Sequence, residues 1–203
     1  MRLYDIADIL VGYLFRERIE QVENGSYRVI QLRDITEEGT INWDRLARTE
    51  LDSEKPTVFI QQGDILFRTK GAHHTAILVD RTEHQVTAPA FFYIIRAHAD
   101  SVLPEFLAWY LNQAPARQYF SEYAAGTGIR HLTRKSLENL EVSIPAFDIQ
   151  QKIVALNHLN QKEKQLVHAI QKKRQALMDA IMLNAVQGTL QPQGVSDVRR
   201  SQD

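Results

Sequence analysis

The chain contains no cysteine, which excludes disulfide bonds and thiolate metal sites and is typical of a reducing compartment. No segment reaches the ~18 consecutive apolar residues that a membrane-spanning helix requires. The opening residues, Met1–Asp5, lack the long apolar stretch and small-residue cleavage site of a signal peptide. These absences predict a cytoplasmic protein with no membrane partner.

An excess of charge of either sign is also lacking, because 24 Lys and Arg residues stand against 25 Asp and Glu residues, giving a net charge of −1. Binding to nucleic acid would therefore depend on local basic loops and not on a global positive field. Composition alone neither supports nor excludes such a partner.

Catalytic signatures are missing as well. The Gly126–Gly128 segment follows a predicted helix instead of a buried strand and has no correctly placed third glycine for nucleotide binding. The neighbouring His73 and His74 suggest a metal site, but adjacent histidines seldom converge on one ion, and no carboxylate lies at ligand spacing. Asp64 and Lys70 match only part of a nuclease site, because the second acidic residue is absent. We predict no enzyme activity, no cofactor and no metal site.

Proline and glycine are absent between Pro145 and Gly188, and the whole interval from 148 to about 187 has the pattern of one amphipathic helix. At 1.5 Å per residue, ~40 residues span roughly 60 Å, about twice the diameter of a domain built from 147 residues. The apolar stripe therefore needs a partner outside its own domain. Its members are Ile149, Ile153, Leu156, Leu159, Leu166, Ile170, Leu177 and Ile181.

Polar residues mark the ends and the middle of this helix. Asp148 and Gln151 form a variant of the capping box, which predicts the helix start. Glu163 and Lys173 fall near the apolar spacing, and we expect them to fix the register and direction of pairing. Residues 189–203 are polar and predict a disordered tail.

The first 147 residues predict an α+β fold, with a mixed, mainly β domain. Expected strands are 28–33, 57–60, 65–68, 76–79 and 91–95, and expected helices are 104–112, 116–124 and a short one capped by Thr133. The predicted domains are thus 1–147, the helix 148–188 and the tail 189–203.

Two loops of this domain are rich in groups that donate to phosphates or base edges. Residues 68–75 combine Arg68, Lys70, His73 and His74 with small residues that allow close backbone approach. Residues 127–135 have a similar character and precede a helix, whose N–H groups favour anions. An ordinary solvated loop explains each stretch almost as well, but two together favour DNA.

Several motifs resemble the specificity subunit of type I restriction-modification systems, in a half-length form with one target-recognition domain and one spacer helix. The resemblance covers nearly all of residues 1–188. It is carried by residues 3–9 with Gly12, by 63–67 with the basic loop, by 103–107 and, most specifically, by 137–145 followed by 150–153.

This resemblance implies a non-catalytic DNA reader that docks onto adenine methyltransferase (M) subunits, with a restriction (R) subunit joining for cleavage. The family pattern has two recognition domains separated by two antiparallel helices, whereas this sequence has one of each. A homodimer through the helix, as an antiparallel coiled coil, would restore the two-fold arrangement and read a symmetric bipartite target.

Our favoured hypothesis is such a specificity subunit bound to double-stranded DNA. Alternatives are a coiled-coil adaptor without DNA binding, and a metal-dependent hydrolase that uses His73, His74 and Asp64. The residues predicted to contact DNA are Arg68, Lys70, His73, His74, Arg130, His131, Arg134 and Arg16.

Overall fold

A computed structural model describes residues 1–52, 57–69, 74–81, 83–124 and 131–187. By their contacts, Met1–Leu156 form one compact unit and Asn157–Asp203 a second. Within the described residues no helix has the length and hydropathy needed to cross a membrane. The strands are β1 (Ala7–Val11), β2 (Tyr27–Val29), β3 (Ala47–Thr49), β4 (Ile65–Arg68), β5 (Ala76–Leu78), β6 (Val86–Thr87) and β7 (Phe92–Ala97). The helices are α1 (Pro104–Leu111), α2 (Ala114–Tyr123), α3 (Arg134–Glu138) and α4 (Phe147–Val186).

The main sheet has four strands in the order β1-β7-β4-β5, and all neighbours are antiparallel. Its central strand, β7, pairs Ile95 with Ile9 of β1 on one side and with Ile65 of β4 on the other. Because successive side chains of a strand point to opposite faces, the apolar runs of β4 and β7 have to bury both faces.

Each face of this sheet carries its own hydrophobic core. On one face, Phe67 and Ile95 join the apolar sides of α1, α2 and α3. On the other, Leu66 and Ile94 pack with residues of the smaller sheet and its flanking loops. That smaller sheet has the order β3-β2-β6, with β2 antiparallel to β3 and parallel to β6.

Two local features anchor these layers as the sequence predicts. Thr133 caps α3, because its Oγ1 accepts the N–H of Ser136 at 3.1 Å. Pro104 is the first residue of α1, where its missing N–H costs nothing. The observed fold, a mixed sheet domain followed by a long C-terminal helix, confirms the predicted class.

The long helix α4 begins inside the first compact unit. Gln150 is buried, where its Oε1 accepts the N–H of Leu103 at 2.8 Å and its Nε2 donates to the carbonyl of Pro145 at 2.9 Å. Ile153 and Val154 pack against the core of the same unit. By contacts the first compact unit therefore extends to Leu156, and the predicted domain boundary after residue 147 stays a prediction.

Three expectations about local structure were wrong. Asp148 lies within the first turn of α4 and bonds Lys152, so it is not the helix cap. Residues 57–60 form no strand, although the N–H of Ile60 donates to the carbonyl of Val86 at 2.9 Å. The strand predicted at 28–33 ends at Val29, since a 3-10 turn begins at Leu32. Gly126, Gly188 and the tail 189–203 lie outside the described residues.

Candidate nucleic-acid interface

One end of the main sheet gathers the loops that sequence analysis singled out. The end of β4 pairs Arg68 with Phe92, and the end of β1 pairs Val11 with Tyr93, both at the start of β7. The start of β5 lies at the same end, because Phe67 pairs with Ala76. The loops that leave β1 and β4 therefore share one edge of the domain.

The two basic loops meet there through their backbones. The N–H of Leu132 donates to the carbonyl of Thr69 at 3.1 Å. Thr69 is itself buried, and both its N–H and its Oγ1 donate to the carbonyl of Phe91, at 3.0 and 2.8 Å. This bond joins residues more than 60 positions apart in the sequence, so the described parts of the two loops, at Arg68–Thr69 and at 131–135, lie side by side.

Arg68 and His74 lie at the base of the first loop. Arg68 is half-buried, and its N–H donates to the carbonyl of Thr75 at 2.9 Å, which closes the β4–β5 connection. The ring of His74 is buried, and its Nδ1 donates to the carbonyl of Arg68 at 3.0 Å. It packs against Phe67 and Phe120 at centroid distances of 6.0 Å. His74 is therefore buried against Phe67 and Phe120 in this structure, and its contact with DNA stays a prediction.

The second loop places two predicted residues beside the first. His131 is half-buried next to Leu132, and Arg134 is exposed at the start of α3, where its Nε bonds the Oε1 of Glu138 at 2.7 Å. Burial raises the pKa of Tyr93, and a hydrogen bond from the backbone of Arg134 opposes that rise. The start of α3 is thus held against the first residues of β7.

Arg16 belongs to the loop that follows β1 and is exposed. The path of that loop depends on Gly12, whose N–H donates to the carbonyl of Phe92 at 3.2 Å. A Cβ at Gly12 would lie 2.4 Å from the carbonyl oxygens of Ala88 and Pro89, so only glycine permits this approach. The loop carrying Arg16 therefore leaves the same end of the sheet as Arg68. Lys70, His73 and Arg130 lie outside the described residues.

Asp64, the carboxylate of the metal-dependent hydrolase alternative, is held in an ion pair away from His74. Asp64 is 1% exposed, and its two oxygens accept from Nε and Nη2 of Arg96 at 2.8 and 2.9 Å. Its Oδ2 also accepts the N–H of Gln61 at 2.8 Å, and this ion pair raises the pKa of Arg96. Asp64 precedes β4 and His74 follows it, so about 17 Å of strand separates them. Among the described residues, no three His, Asp or Glu side chains form a cluster fit for a metal ion.

A cleft that sequence analysis missed adjoins the loop surface. Its volume is about 630 Å³, and it shares Thr133 and Lys135 with the start of α3. Tyr119 and Tyr123, stacked at 4.3 Å, form part of its wall, and Arg2 adds a cation. The spacing of the two tyrosines, one helical turn apart, was the only sequence signal for it.

The predicted pairing residues divide into two groups. Ile153 packs against the core of the first unit, as described above, and thereby serves that unit's own stability. The others are exposed, and the values for the middle of the stripe are high: Leu159 66%, Leu166 56%, Ile170 57% and Leu177 60%. Further apolar side chains on this helix, including Met178 and Met182, are also exposed.

The described residues form a sheet covered on both faces, with Arg68 and Arg134 near one end of it, and a long helix with an exposed apolar stripe, an arrangement that suits a recognition module. The profile of the family described as the type I restriction modification DNA specificity domain matches residues 1–173. The chain belongs to this family. Membership implies a role in recognition and not in catalysis.

Solved structures of low sequence identity share the fold. The type I restriction-modification S subunit from M. genitalium matches with 16% identity and a TM-score of 0.55, over 86% of this chain and 42% of that one. The HsdS subunit from Thermoanaerobacter tengcongensis matches with 18% identity and a TM-score of 0.61, over 98% of this chain and 50% of that one. A structure of a type I R-M system, described for its complex assembly and conformational transition, matches with 20% identity and a TM-score of 0.60. The match covers 93% of this chain and 43% of that one.

The chain spans half or less of the length of each of these three structures. No curated protein matches the sequence. The family membership confirms the resemblance stated from the motifs, and it disfavours the adaptor alternative.

Proposed function

We propose that this chain is the DNA-recognition part of a type I restriction-modification complex and reads half of a symmetric, bipartite target. The loops at one end of the main sheet enter the DNA groove, and the exposed stripe of α4 pairs with a second copy in antiparallel fashion. Methylation, and cleavage where it occurs, belongs to M subunits and an R subunit that assemble with this dimer in the cytoplasm.

The convergence of the two basic loops carries the proposal. The bond from Leu132 to Thr69 at 3.1 Å joins cations from distant parts of the sequence into one surface. Arg68, His131 and Arg134 border it, and Arg16 lies on a loop from the same sheet end. Such a surface combines phosphate contacts, which position the protein, with side chains that reach base edges. The family assignment identifies duplex DNA as the ligand that this chemistry fits.

The test uses the complex assembled with its M subunits, and measures equilibrium binding to duplex DNA over a range of salt concentrations. Arg68→Ala should weaken binding about tenfold, which corresponds to a contact worth ~1–3 kcal/mol. If that contact is to a phosphate, the salt dependence should also fall by about one counterion.

Arg81→Ala is the matched control, because Arg81 is an exposed arginine that follows the opposite end of β5. It should leave both affinity and salt dependence unchanged. Equal losses of DNA affinity in the two variants, or no loss in Arg68→Ala, would contradict the assignment of this end of the main sheet as the DNA interface.

A further inference from the structure

The exposed stripe of α4 contains two charges that interrupt it at the seam. Counting in heptads from Ile149, one line of the helix reads Leu156, Glu163, Ile170 and Leu177, and the line beside it reads Leu159, Leu166, Lys173 and Ala180. Both charges are exposed and lie within α4. Neither serves the helix as a local ion pair, because the residues one turn away from each are apolar apart from Asn160.

Resting on the dimer proposed above, we propose that the partner is a second copy of this chain in one particular antiparallel register, with Glu163 of each copy against Lys173 of the other. In this register Leu159 faces Leu177 of the second copy, Leu166 faces Ile170, and Leu156 faces Ala180. Between Leu156 and Ala180 each apolar position on these two lines thus meets an apolar one, and the two opposite charges meet each other twice by symmetry.

Other registers lack this match. A shift of one heptad in either direction sets Glu163 against Ala180 or Leu166, which leaves a charge beside an apolar residue. A parallel pairing sets Glu163 against its own copy, and like charges in close contact repel. The neighbouring register, one residue away, pairs Glu163 with Arg174 but sets Asn160 against Leu177. The pattern is self-complementary, as a two-fold interface between identical chains requires.

The absence of native cysteine makes the register directly measurable by cross-linking of the full-length chain. The double variant L159C/L177C should form a disulfide-linked dimer under mild oxidation, because its two sulfur atoms face each other across the seam. Either single variant should not, since two copies of the same residue lie about 27 Å apart along the axis in this register.

Two further variants separate the alternatives. N160C/L177C should cross-link more slowly than L159C/L177C, and the opposite order would replace our register by its neighbour. Cross-linking of the single variants would show a parallel pair and overturn the proposal. Sedimentation of the unmodified chain reports the dimer itself: a monomer would overturn the pairing function, whereas a dimer without L159C/L177C cross-links would overturn only the register.

Charge reversal provides an independent readout of the same contact. E163K and K173E should each raise the dissociation constant of the dimer at least about tenfold, and the double variant should recover most of that loss. K172E is the matched control, because Lys172 lies on the opposite side of the helix, and it should have little effect. Failure of the double variant to recover would exclude the Glu163–Lys173 contact.

Discussion

The two compact units of this chain differ in the exposure of their apolar side chains. In Met1–Leu156, large side chains such as Phe67, Leu66 and Ile94 are completely buried on one face or the other of the main sheet. Beyond Asn157, the leucines and isoleucines of α4 are exposed. The first unit buries its own apolar side chains, whereas the helix carries exposed apolar surface that the proposed second copy would cover. The same substitution should therefore act on folding in one unit and on association in the other.

The largest effect on folding is expected from Phe120→Ala. Phe120 is buried between Phe67, at a centroid distance of 4.9 Å, and His74. Its removal should lower the free energy of unfolding by about 3–5 kcal/mol, through lost burial and a residual cavity. Denaturant titration measures this, with Tyr123→Ala as an exposed control on the same helix, expected to cost about 1 kcal/mol or less. A similar loss for both variants would contradict the described core.

A charge on the exposed stripe should act on association instead. Ile170→Asp should raise the dissociation constant of the dimer by at least about 30-fold, since a seam residue is worth ~2–5 kcal/mol. The melting temperature of the first unit should stay close to that of the wild type. Sedimentation and thermal unfolding measure the two quantities, and His168→Asp, at an exposed position on the opposite side of the helix, is the control. A lower melting temperature of the first unit without dissociation of the dimer would show that Ile170 acts on folding, and would contradict the contrast between the two units.

The buried ion pair at the far end of the main sheet should have an intermediate effect. Asp64→Ala leaves Arg96 without its carboxylate and should cost about 3 kcal/mol, the lower end of the usual range, because the Arg96 side chain is 32% exposed. Thermal or denaturant unfolding gives this value. DNA affinity of the folded variant should be unchanged, since Asp64 lies at the sheet end opposite to Arg68; a selective loss of binding would relocate the interface.

The smallest effect is expected from a second buried aspartate. Burial raises the pKa of Asp34 above its ordinary value of 3.8, and only one oxygen accepts a hydrogen bond, from the N–H of Gln31 at 2.8 Å. The folded state therefore holds this proton more tightly than the unfolded chain does. The contribution of Asp34 to the free energy of unfolding consequently falls as the pH rises above the ordinary pKa of 3.8.

Asp34→Asn removes this dependence, and its stability relative to the wild type should rise as the pH increases above the ordinary pKa of 3.8, by no more than about 1 kcal/mol. Unfolding curves at several pH values measure it. A relative stability that falls with pH would mean that Asp34 is stabilised as a carboxylate.

Local signals in the sequence predicted the elements that local physics determines. The cap of α3 at Thr133, Pro104 at the start of α1 and the long α4 depend on side chains within a few residues of one another. The strands β1, β3 and β6 were missed, because two of them are only two or three residues long and β1 acquires its conformation by pairing with the distant β7. Tertiary pairing of this kind leaves little trace in a short stretch of sequence.

The candidate interface was predictable as a set of residue types but not as a surface. The two basic loops could be named from composition, yet their meeting depends on the bond between Leu132 and Thr69. The burial of His74 was also invisible, because adjacent histidines give no indication of which ring packs against Phe120. The burial of Gln150 depends on a residue far away in the sequence, because its amide links Leu103, 47 positions earlier, with Pro145.

The double covering of the main sheet has a consequence for how this protein can change. Since both faces are occupied by packed cores, exposed residues of the loop beyond β1, such as Leu14 and Arg16, can be exchanged without altering either core, whereas the buried Gly12, Thr69 and His74 have to be kept. If these loops read DNA as proposed, exchange of such exposed residues gives access to new target preferences, while the framework and the proposed pairing of subunits are retained. A library confined to them samples specificity at little expense in folding.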